Sequence, residues 1–357
     1  MNASEQATGP RPHVVAWEST RACNLACRHC RASAQTEPAP DELTTAQIKA
    51  VIDDIAAFAR PVFIISGGEP LMRADIFEVA RYGRERGLRV VMSPNGTLIT
   101  SRVARQMAEA GIARISVSID GSCAERHDAV RGVPGAFDAA MAGLAYAREA
   151  GVGFQLNTSV MRQTLDDLPA VLELARRLGA EAWHIFMLVP TGRGQAADEV
   201  TPAEYERTLN WIYDTARSSP LPIRVTCGPH YMRVVAVRSG GGGLPAANCG
   251  GGYERMGRAT RGCLAGNGYC FISYQGEVFP CGYLPLEAGN VRRQSFRRIY
   301  QQSGLFQMLR DVSRLEGKCG VCEHAAICGG CRARAYSATG NVLAEEPFCL
   351  SRPRNWK

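Results

Sequence analysis

The run Arg21-Ala-Cys-Asn-Leu-Ala-Cys-Arg-His-Cys30 decides how this sequence is interpreted. Its three thiols, Cys23, Cys27 and Cys30, are separated by three and then by two residues. That spacing lets one short loop wrap a cube-shaped iron–sulfur cluster with three thiolates and leaves the fourth iron without a protein ligand. An iron with an open coordination position is a site for chemistry. The loop therefore predicts a catalytic cluster.

Zinc is the alternative occupant of this loop, because closely spaced cysteines often form structural zinc sites. Three cysteines without a fourth ligand in the same loop make tetrahedral zinc awkward, although His29 lies beside Cys30 and could complete a set. The loop by itself favours an iron–sulfur cluster and leaves zinc open. The surrounding sequence has to decide between the two.

The composition fits a metal-dependent protein of the cytoplasm. The 357 residues include 14 cysteines, and a reducing compartment favours metal ligation over disulfides for them. The first dozen residues are polar and lack the apolar stretch of a secretory signal. No segment approaches the roughly 20 apolar residues of a membrane span, so we expect a soluble cytoplasmic protein. The net charge of +7 is modest, and we expect no nucleic-acid partner.

From residue 13 to about residue 227, short β-branched runs alternate with helical stretches that keep apolar residues on one face. Two such faces consist of Ile48, Val51, Ile52, Ile55 and Phe58, and of Leu168, Val171, Leu172 and Ala175. The pattern predicts strands at 14–17, 62–65, 90–92, 115–119, 154–160 and 183–188, with a weaker one at 223–226. Regular alternation implies right-handed crossovers and a parallel sheet in an α/β fold, either open or closed into a barrel. Polar segments follow these strands at their carboxyl ends, where barrel active sites assemble. We therefore predict a partial (β/α)6 TIM-like barrel.

Polar or Gly-rich residues follow four of the predicted strands and alternate along a fifth. The four segments are Ser66-Gly67-Gly68-Glu69-Pro70, Ser93-Pro94-Asn95-Gly96-Thr97, Ser118-Ile119-Asp120-Gly121 and Met187-Leu188-Val189-Pro190-Thr191-Gly192-Arg193-Gly194. On the fifth strand, Gln155 and Asn157 alternate, so both side chains can point into the barrel. Taken singly, each segment is more often a turn or a helix cap. Together they mark one edge of the sheet.

The cluster loop and these strand ends resemble the radical S-adenosylmethionine (SAM) superfamily, and Trp17 and the pair Asn24-Leu25 add to the likeness. The resemblance implies a [4Fe–4S] cluster whose open iron chelates the amino and carboxylate groups of SAM. Reductive cleavage of SAM then gives a 5′-deoxyadenosyl radical. The resemblance also implies that the following residues line the SAM site: Gly67, Gly68, Glu69, Pro70, Ser93, Asn95, Asp120, Asn157, Met187 and Arg193.

The last hundred residues contain a second group of cysteines: Cys263, Cys270, Cys281, Cys319, Cys322, Cys328, Cys331 and Cys349. Their spacing resembles the SPASM extension of radical SAM enzymes. That extension usually has three residues before the last cysteine of its central block, whereas here only Gly329 and Gly330 intervene. The departure leaves the partition of the ligands open.

Eight cysteines could ligate two auxiliary [4Fe–4S] clusters. The resemblance implies one ligand set of Cys319, Cys322, Cys328 and Cys349, and a second set of Cys263, Cys270, Cys281 and Cys331. A single auxiliary cluster with spare thiols, or zinc in the paired C-x-x-C units, is the alternative. We interpret the remaining cysteines as ordinary buried or loop thiols; they are Cys123, Cys227 and Cys249.

These observations divide the chain into four parts: a tail at 1–12, the partial barrel at 13–227, a Gly-rich connector at 228–260 and a SPASM-type domain at 261–357. The connector contains glycine runs at 240–243 and 250–252. Such a stretch is most simply flexible.

Segments at 15–18, 260–266, 280–283 and 345–349 look most like the heme-biosynthesis branch of the superfamily. This resemblance implies oxidative decarboxylation of two propionate side chains of iron-coproporphyrin III to vinyl groups, giving heme b. The substrate radical would lose one electron to an auxiliary cluster, and a ferredoxin or flavodoxin would supply low-potential electrons. Arg21, Arg31 and Arg193 are candidates to pair with the substrate carboxylates.

Three other functions stay open. A sister tetrapyrrole enzyme of the heme d1 or didecarboxysiroheme branch would share every cluster motif. A SPASM peptide maturase that forms side-chain crosslinks would use the same modules. A non-catalytic iron–sulfur or zinc scaffold would bind a partner without turnover.

Overall fold

The computed structural model describes residues 9–240 and 261–356, and within these ranges it shows one open sheet of ten strands. The strands are β1 (Val14–Glu18), β2 (Val62–Ser66), β3 (Arg89–Met92), β4 (Ile115–Ser118), β5 (Phe154–Val160), β6 (Ala182–Met187), β7 (Ile223–Thr226), β8 (Tyr269–Ile272), β9 (Glu277–Phe279) and β10 (Gly289–Asn290). The first eight helices are α1 (Thr45–Phe58), α2 (Ile76–Glu85), α3 (Ser101–Glu109), α4 (Ala124–Arg131), α5 (Ala136–Glu149), α6 (Leu168–Leu178), α7 (Pro202–Ser218) and α8 (His230–Arg238). The others are α9 (Phe296–Gln302), α10 (Gly304–Arg310), α11 (Gly317–Gly320), α12 (Ala325–Cys328) and α13 (Arg332–Thr339).

The predicted α/β fold is confirmed. Strands β1 to β7 run parallel and neighbour one another in chain order, as strand–helix alternation requires. The boundaries of these seven strands lie within one residue of their predicted positions. β7 forms one edge of the sheet, so the barrel is partial.

The Cys-rich region extends the same sheet, which its sequence did not indicate. β8 pairs in parallel with the free edge of β1, with Cys270 opposite Val15. β9 and β10 continue the sheet antiparallel. Because β8 covers the edge of β1, the sheet is continuous from the barrel strands into the C-terminal region.

The helices pack their predicted apolar faces on the sheet. The residues predicted for α1 are all buried, namely Ile48, Val51, Ile52, Ile55 and Phe58. Those predicted for α6 are also buried, namely Leu168, Val171, Leu172 and Ala175. A capping box of Thr44 and Gln47 starts α1, where it satisfies backbone N–H groups that have no partner within the helix.

The predicted connector is partly described. It begins with α8, which buries Tyr231, Val234 and Val235, whereas the glycines at 241–243 and 250–252 lie outside the described residues. The boundaries of the four predicted parts stay a prediction. No helix within the described residues is both long and apolar enough to cross a membrane.

Candidate functional site

The cluster loop lies between β1 and α1, at the carboxyl edge of the sheet. Cys23 and Cys27 are buried and Cys30 is partly buried, and the three thiols pack in one group with small and apolar side chains such as Leu25. The Cys23 N–H donates to the carbonyl of Gln35 over 2.7 Å, which closes the loop at its base. The structure therefore brings the three predicted ligands together.

Backbone and side-chain N–H groups point at the Cys23 sulfur. The Leu25 N–H lies 3.4 Å from Cys23 Sγ, and Asn95 Nδ2 lies 3.9 Å from it. Burial, followed by the charges of Glu69 and the neighbouring thiolates, raises the pKa of Cys23 to about 11. A bound metal deprotonates such a thiol, and N–H donors to sulfur then tune the potential of a cluster.

A buried ion pair between Arg131 and Asp120 lies next to Cys27. Arg131 Nη1 lies 3.6 Å from Cys27 Sγ, and its Nη2 lies 2.7 Å from the Asp120 carboxylate. The same carboxylate faces His29 Nε2 at 3.3 Å and accepts the Ser159 N–H over 2.7 Å. Asp120, which we expected to line the SAM site, thus has internal partners on both oxygens. His29, which the sequence offered as a fourth ligand for zinc, directs its Nε2 atom at this carboxylate.

The Gly-rich turn after β2 packs directly against the start of the cluster loop. The Gly68 N–H donates to Thr20 O, and the Glu69 N–H donates to Ala22 O, each over 2.7 Å. A Cβ atom on Gly68 would lie 2.2 Å from Ala22 O, which no real Cβ contact tolerates. Glycine at this position lets the turn and the loop touch.

Gly68→Ala is expected to lower the free energy of unfolding by about 2–3 kcal/mol, because the new methyl group meets backbone that cannot move aside. Urea unfolding under anaerobic conditions measures this change. Gly304→Ala is the matched control, since a Cβ there meets nothing within 4 Å. Equal stability of the two variants would contradict the packing described here.

Glu69 is fully buried at the same place. Its carboxylate accepts the Asn95 N–H over 2.6 Å and the Leu71 N–H over 3.0 Å. Burial raises the pKa of Glu69 to about 7, although these two hydrogen bonds oppose the rise. The residue joins the turn after β2 to the turn after β3, so two of the predicted SAM-contacting segments are held as one unit.

This raised pKa predicts a pH-dependent stability of the cluster-free protein. The folded state favours protonated Glu69, so its contribution is complete below the ordinary pKa of 4.5 and declines as the pH rises through about 7. We expect a loss of about 1 kcal/mol between pH 6 and pH 8, measured by urea unfolding at both values. Glu69→Gln should remove this difference. An unchanged pH dependence in the variant would contradict the assignment.

The other predicted SAM contacts lie on neighbouring strand ends. The Ser93 N–H donates to Ile65 O over 2.8 Å. Asn157 Oδ1 accepts from Gln155 Nε2 over 3.0 Å, and Met187 is buried at the end of β6. The structure places these residues along one edge of the sheet with the cluster loop. Their contacts with SAM stay a prediction.

Arg193, in the segment that follows β6, donates hydrogen bonds to backbone carbonyl groups of the cluster loop. Its Nε donates to Cys27 O over 2.9 Å and its Nη1 to Ala34 O over 2.8 Å, while its own N–H donates to Cys30 O. Within the described residues Arg193 Nη2 is buried without a hydrogen-bond partner. That nitrogen is the group of Arg193 that can meet a ligand.

The two other candidate arginines have partners within the protein. Arg31 Nη2 donates to Glu18 Oε1 over 3.0 Å, and its guanidinium lies 4.3 Å from the centre of the Phe271 ring. Arg21 Nη2 donates to Ser33 O over 3.0 Å. Both side chains hold the cluster loop in place, and a role in substrate binding is not needed to explain their positions.

In the C-terminal region, one pocket is lined by four thiols together. N–H groups approach three of them at 3.4–3.5 Å, from Glu346, His324 and Gly330. These sulfurs therefore have the same kind of donors as the cluster loop. The four thiols are those of the first predicted ligand set: Cys319, Cys322, Cys328 and Cys349.

The shortened spacer explains how neighbouring cysteines reach different places. Gly329 and Gly330 have φ values of 74° and 59°, a left-handed conformation that glycine adopts without strain. Two such residues in succession turn the chain sharply between Cys328 and Cys331. Cys328 lines the pocket, and Cys331 packs in a separate apolar group with Cys281.

The second predicted ligand set is only partly assembled. Cys281 packs against the apolar group that contains Cys331. Burial first, and then the charges of Cys263 and Cys331, raise the pKa of Cys281 to about 12. Cys270 lies in β8 and packs in the main core. Cys227, interpreted from sequence as an ordinary thiol, lies beside the group instead. Its position directly after β7, at the carboxyl edge of the sheet, was the feature of the sequence that could have indicated a functional role for Cys227.

The donor chemistry of all these sites fits iron–sulfur clusters. Thiolates select iron–sulfur clusters or zinc. Within the described residues, no three Cys, His, Asp or Glu side chains are arranged to hold a single metal ion. A cubane takes each thiolate on a different iron, whereas the ligands of a single zinc converge to about 2.3 Å.

Comparison with known families agrees with this geometry. Residues 17–175 match the model of the radical SAM superfamily, and residues 263–331 match the SPASM iron–sulfur cluster-binding domain. The chain is 49% identical over 342 residues to an AdoMet-dependent heme synthase of Methanosarcina barkeri, covering 96% of this chain and 97% of the relative. It is 34% identical to the pre-heme d1 synthase of Dinoroseobacter shibae, covering 95% and 86%.

A solved structure shows the same fold. The SuiB protein of Streptococcus suis bound to S-adenosylmethionine superposes with a TM-score of 0.75 at 17% identity, covering 96% of this chain and 78% of that protein. At this identity the likeness shows the fold alone.

Proposed function

Because the chain belongs to the radical SAM superfamily and carries a SPASM domain, we propose that it decarboxylates two propionate side chains of iron-coproporphyrin III oxidatively, giving heme b. It is a radical SAM enzyme with [4Fe–4S] clusters and SAM as cofactors. The observation that carries the proposal is 49% identity to a heme synthase over nearly the whole chain, against 34% to a pre-heme d1 synthase.

The residues around the cluster loop would hold and tune the site. Cys23, Cys27 and Cys30 would hold the cluster, which would supply the electron for SAM cleavage. Arg131 places a positive charge beside Cys27, and Asp120 fixes the position of that guanidinium. Arg193 holds the loop through two carbonyl groups. These contacts orient the thiols before any ligand binds.

A polar row across the barrel interior supports an anionic substrate. The register pairs Ser118 with Asn157, Asn157 with His184, and His184 with Arg224, and residues paired in this way point to the same face of a sheet. The opposite face packs on helices, as the edge-to-face contact of Trp183 with Trp211 of α7 shows. The row therefore faces the interior.

Arg224 supplies the permanent cation of this row. Burial first, and then the charge of Arg224, lower the pKa of His184 to about 3, so His184 is neutral at physiological pH and can donate or accept a hydrogen bond. A guanidinium pairs with a carboxylate through two parallel bonds. The row could thus bind a propionate arm of the substrate.

The chemistry also requires an electron acceptor. Each propionate that becomes a vinyl group loses one hydrogen atom, one molecule of carbon dioxide and one electron. The C-terminal thiols would hold the acceptor. A low-potential ferredoxin or flavodoxin would supply electrons for SAM cleavage.

Incubation of the anaerobically reconstituted protein with iron-coproporphyrin III, SAM and a reductant tests the proposal. We expect heme b, 5′-deoxyadenosine and two molecules of carbon dioxide per heme. A parallel incubation with didecarboxysiroheme tests the sister reaction. Deoxyadenosine without loss of carbon dioxide from iron-coproporphyrin III, or turnover of didecarboxysiroheme alone, would contradict the proposal.

A further inference from the structure

Cys227 has an unusual backbone conformation. Its φ is 58°, in the left-handed region that residues other than glycine seldom adopt. Among the described residues the other non-glycine residue with positive φ is Ser33, which lies in the cluster loop. Such conformations persist where the surroundings impose them, and they concentrate at functional sites.

The surroundings of Cys227 fix this conformation. Its carbonyl accepts the Tyr205 hydroxyl over 3.3 Å and lies 3.5 Å from Arg334 Nη1. Tyr205 belongs to α7 and Arg334 to α13, so a barrel helix and a C-terminal helix both bind the same carbonyl group. The thiol of Cys227 is therefore held at the junction of the two regions.

The chain that follows Cys227 touches the chain that precedes Cys263. A Cβ atom on Gly262 would lie 2.8 Å from Pro229 O, so these two segments are in direct backbone contact. Cys227 and Cys281 also pack against the same apolar group, which contains Cys331. Packing thus gathers Cys227, Cys281 and Cys331 from three separate segments, and the contact of Gly262 with Pro229 brings the segment of Cys263 beside that of Cys227.

Electrostatics agree with this packing. Burial first, and then the charges of Cys331, Cys281 and Cys263, raise the pKa of Cys227 well above its ordinary value, with Arg334 opposing. Cys270 differs, because burial raises its pKa and Arg310 opposes, with no contribution from another cysteine. Its side chain faces the core beside the helices.

We propose that Cys227, Cys263, Cys281 and Cys331 ligate one auxiliary [4Fe–4S] cluster, and that Cys270 is a core thiol without a metal. Four thiolates, one for each iron, complete such a cluster. Because Cys227 directly follows β7, this cluster would have one ligand from the barrel and three from the C-terminal region. This assignment does not depend on which substrate the enzyme uses.

The test counts auxiliary iron in a background that lacks the SAM cluster, with Cys23, Cys27 and Cys30 all replaced by alanine. Cys227→Ala and Cys270→Ala are compared in this background, with Cys123→Ala as an exposed control and Cys263→Ala as a positive control. After anaerobic reconstitution, iron and sulfide are counted per chain. Electron paramagnetic resonance spectra are recorded after reduction.

The parent protein should bind about eight irons, as two cubanes require. Cys227→Ala should lose about four of them or change the spectrum of one cluster, as Cys263→Ala should, whereas Cys270→Ala and Cys123→Ala should match the parent. Cys227→Ser keeps the side-chain size and serves if the alanine variant does not fold. An unchanged spectrum and iron content in both Cys227 variants, or a loss in Cys270→Ala, would overturn the proposal.

Discussion

Cys27→Ala is expected to abolish the reductive cleavage of SAM. Cys27 is one of the three thiols proposed to hold the cluster with the open iron, and it is the thiol that Arg131 approaches at 3.6 Å. Loss of one of three ligands removes the site that binds SAM, so 5′-deoxyadenosine formation should fall at least ~10³-fold. Anaerobic assays with dithionite and SAM, followed by chromatography, measure the product.

The iron content provides a second measurement on the same variant. Cys27→Ala should lose about four irons per chain and keep those of the C-terminal sites. Cys123→Ala is the matched control, because Cys123 is exposed and lies apart from the cluster loop in the sequence. Undiminished SAM cleavage in Cys27→Ala would mean that another site performs it.

Arg334→Met is expected to lower the free energy of unfolding by about 3–5 kcal/mol, because removal of one partner leaves buried charges uncompensated. Arg334 is almost fully buried in α13. Its Nη2 donates to Leu188 O over 2.5 Å and its Nε to Glu199 Oε1 over 3.1 Å. Glu346 Oε1 lies 3.5 Å from Arg334 Nη1. The side chain thus links the end of β6 to the C-terminal region.

Urea unfolding at pH 7, with the clusters loaded, measures the effect. Arg126→Met is the matched control, because Arg126 forms an exposed ion pair with Asp166 at 2.9 Å, and such pairs contribute about 0–1 kcal/mol. Similar losses in the two variants would contradict a linking role for Arg334. A loss in Arg334→Met accompanied by altered cluster spectra would show that the same side chain also supports Cys227.

The sequence alone predicted the seven parallel strands and the apolar faces of α1 and α6. These features depend on local periodicity, which a single sequence carries. The cluster loop was predictable for the same reason, since Cys23, Cys27 and Cys30 lie within eight residues of one another. The grouping of four C-terminal thiols around one pocket was also predictable, because three of the four form a short block in the sequence.

Other features depend on contacts between distant segments. The pairing of β8 with β1 joins Cys270 to Val15, and no local pattern records such a pairing. It also decides that the Cys270 side chain faces the core, because a strand alternates its two faces. The partners of Asp120 were missed similarly, since Arg131 reaches it from the end of α4. When a carboxylate follows a strand, the sequence does not show whether it binds a ligand or another side chain of the protein.

We propose that Cys23, Cys27 and Cys30 hold a cubane with one iron open to SAM. Electron paramagnetic resonance of the anaerobically purified and reduced protein, with and without SAM, tests it most directly. We expect a [4Fe–4S] signal whose g values shift when SAM is added, and no such shift in Cys27→Ala. Zinc in this loop, or a cluster signal that SAM leaves unchanged, would contradict it.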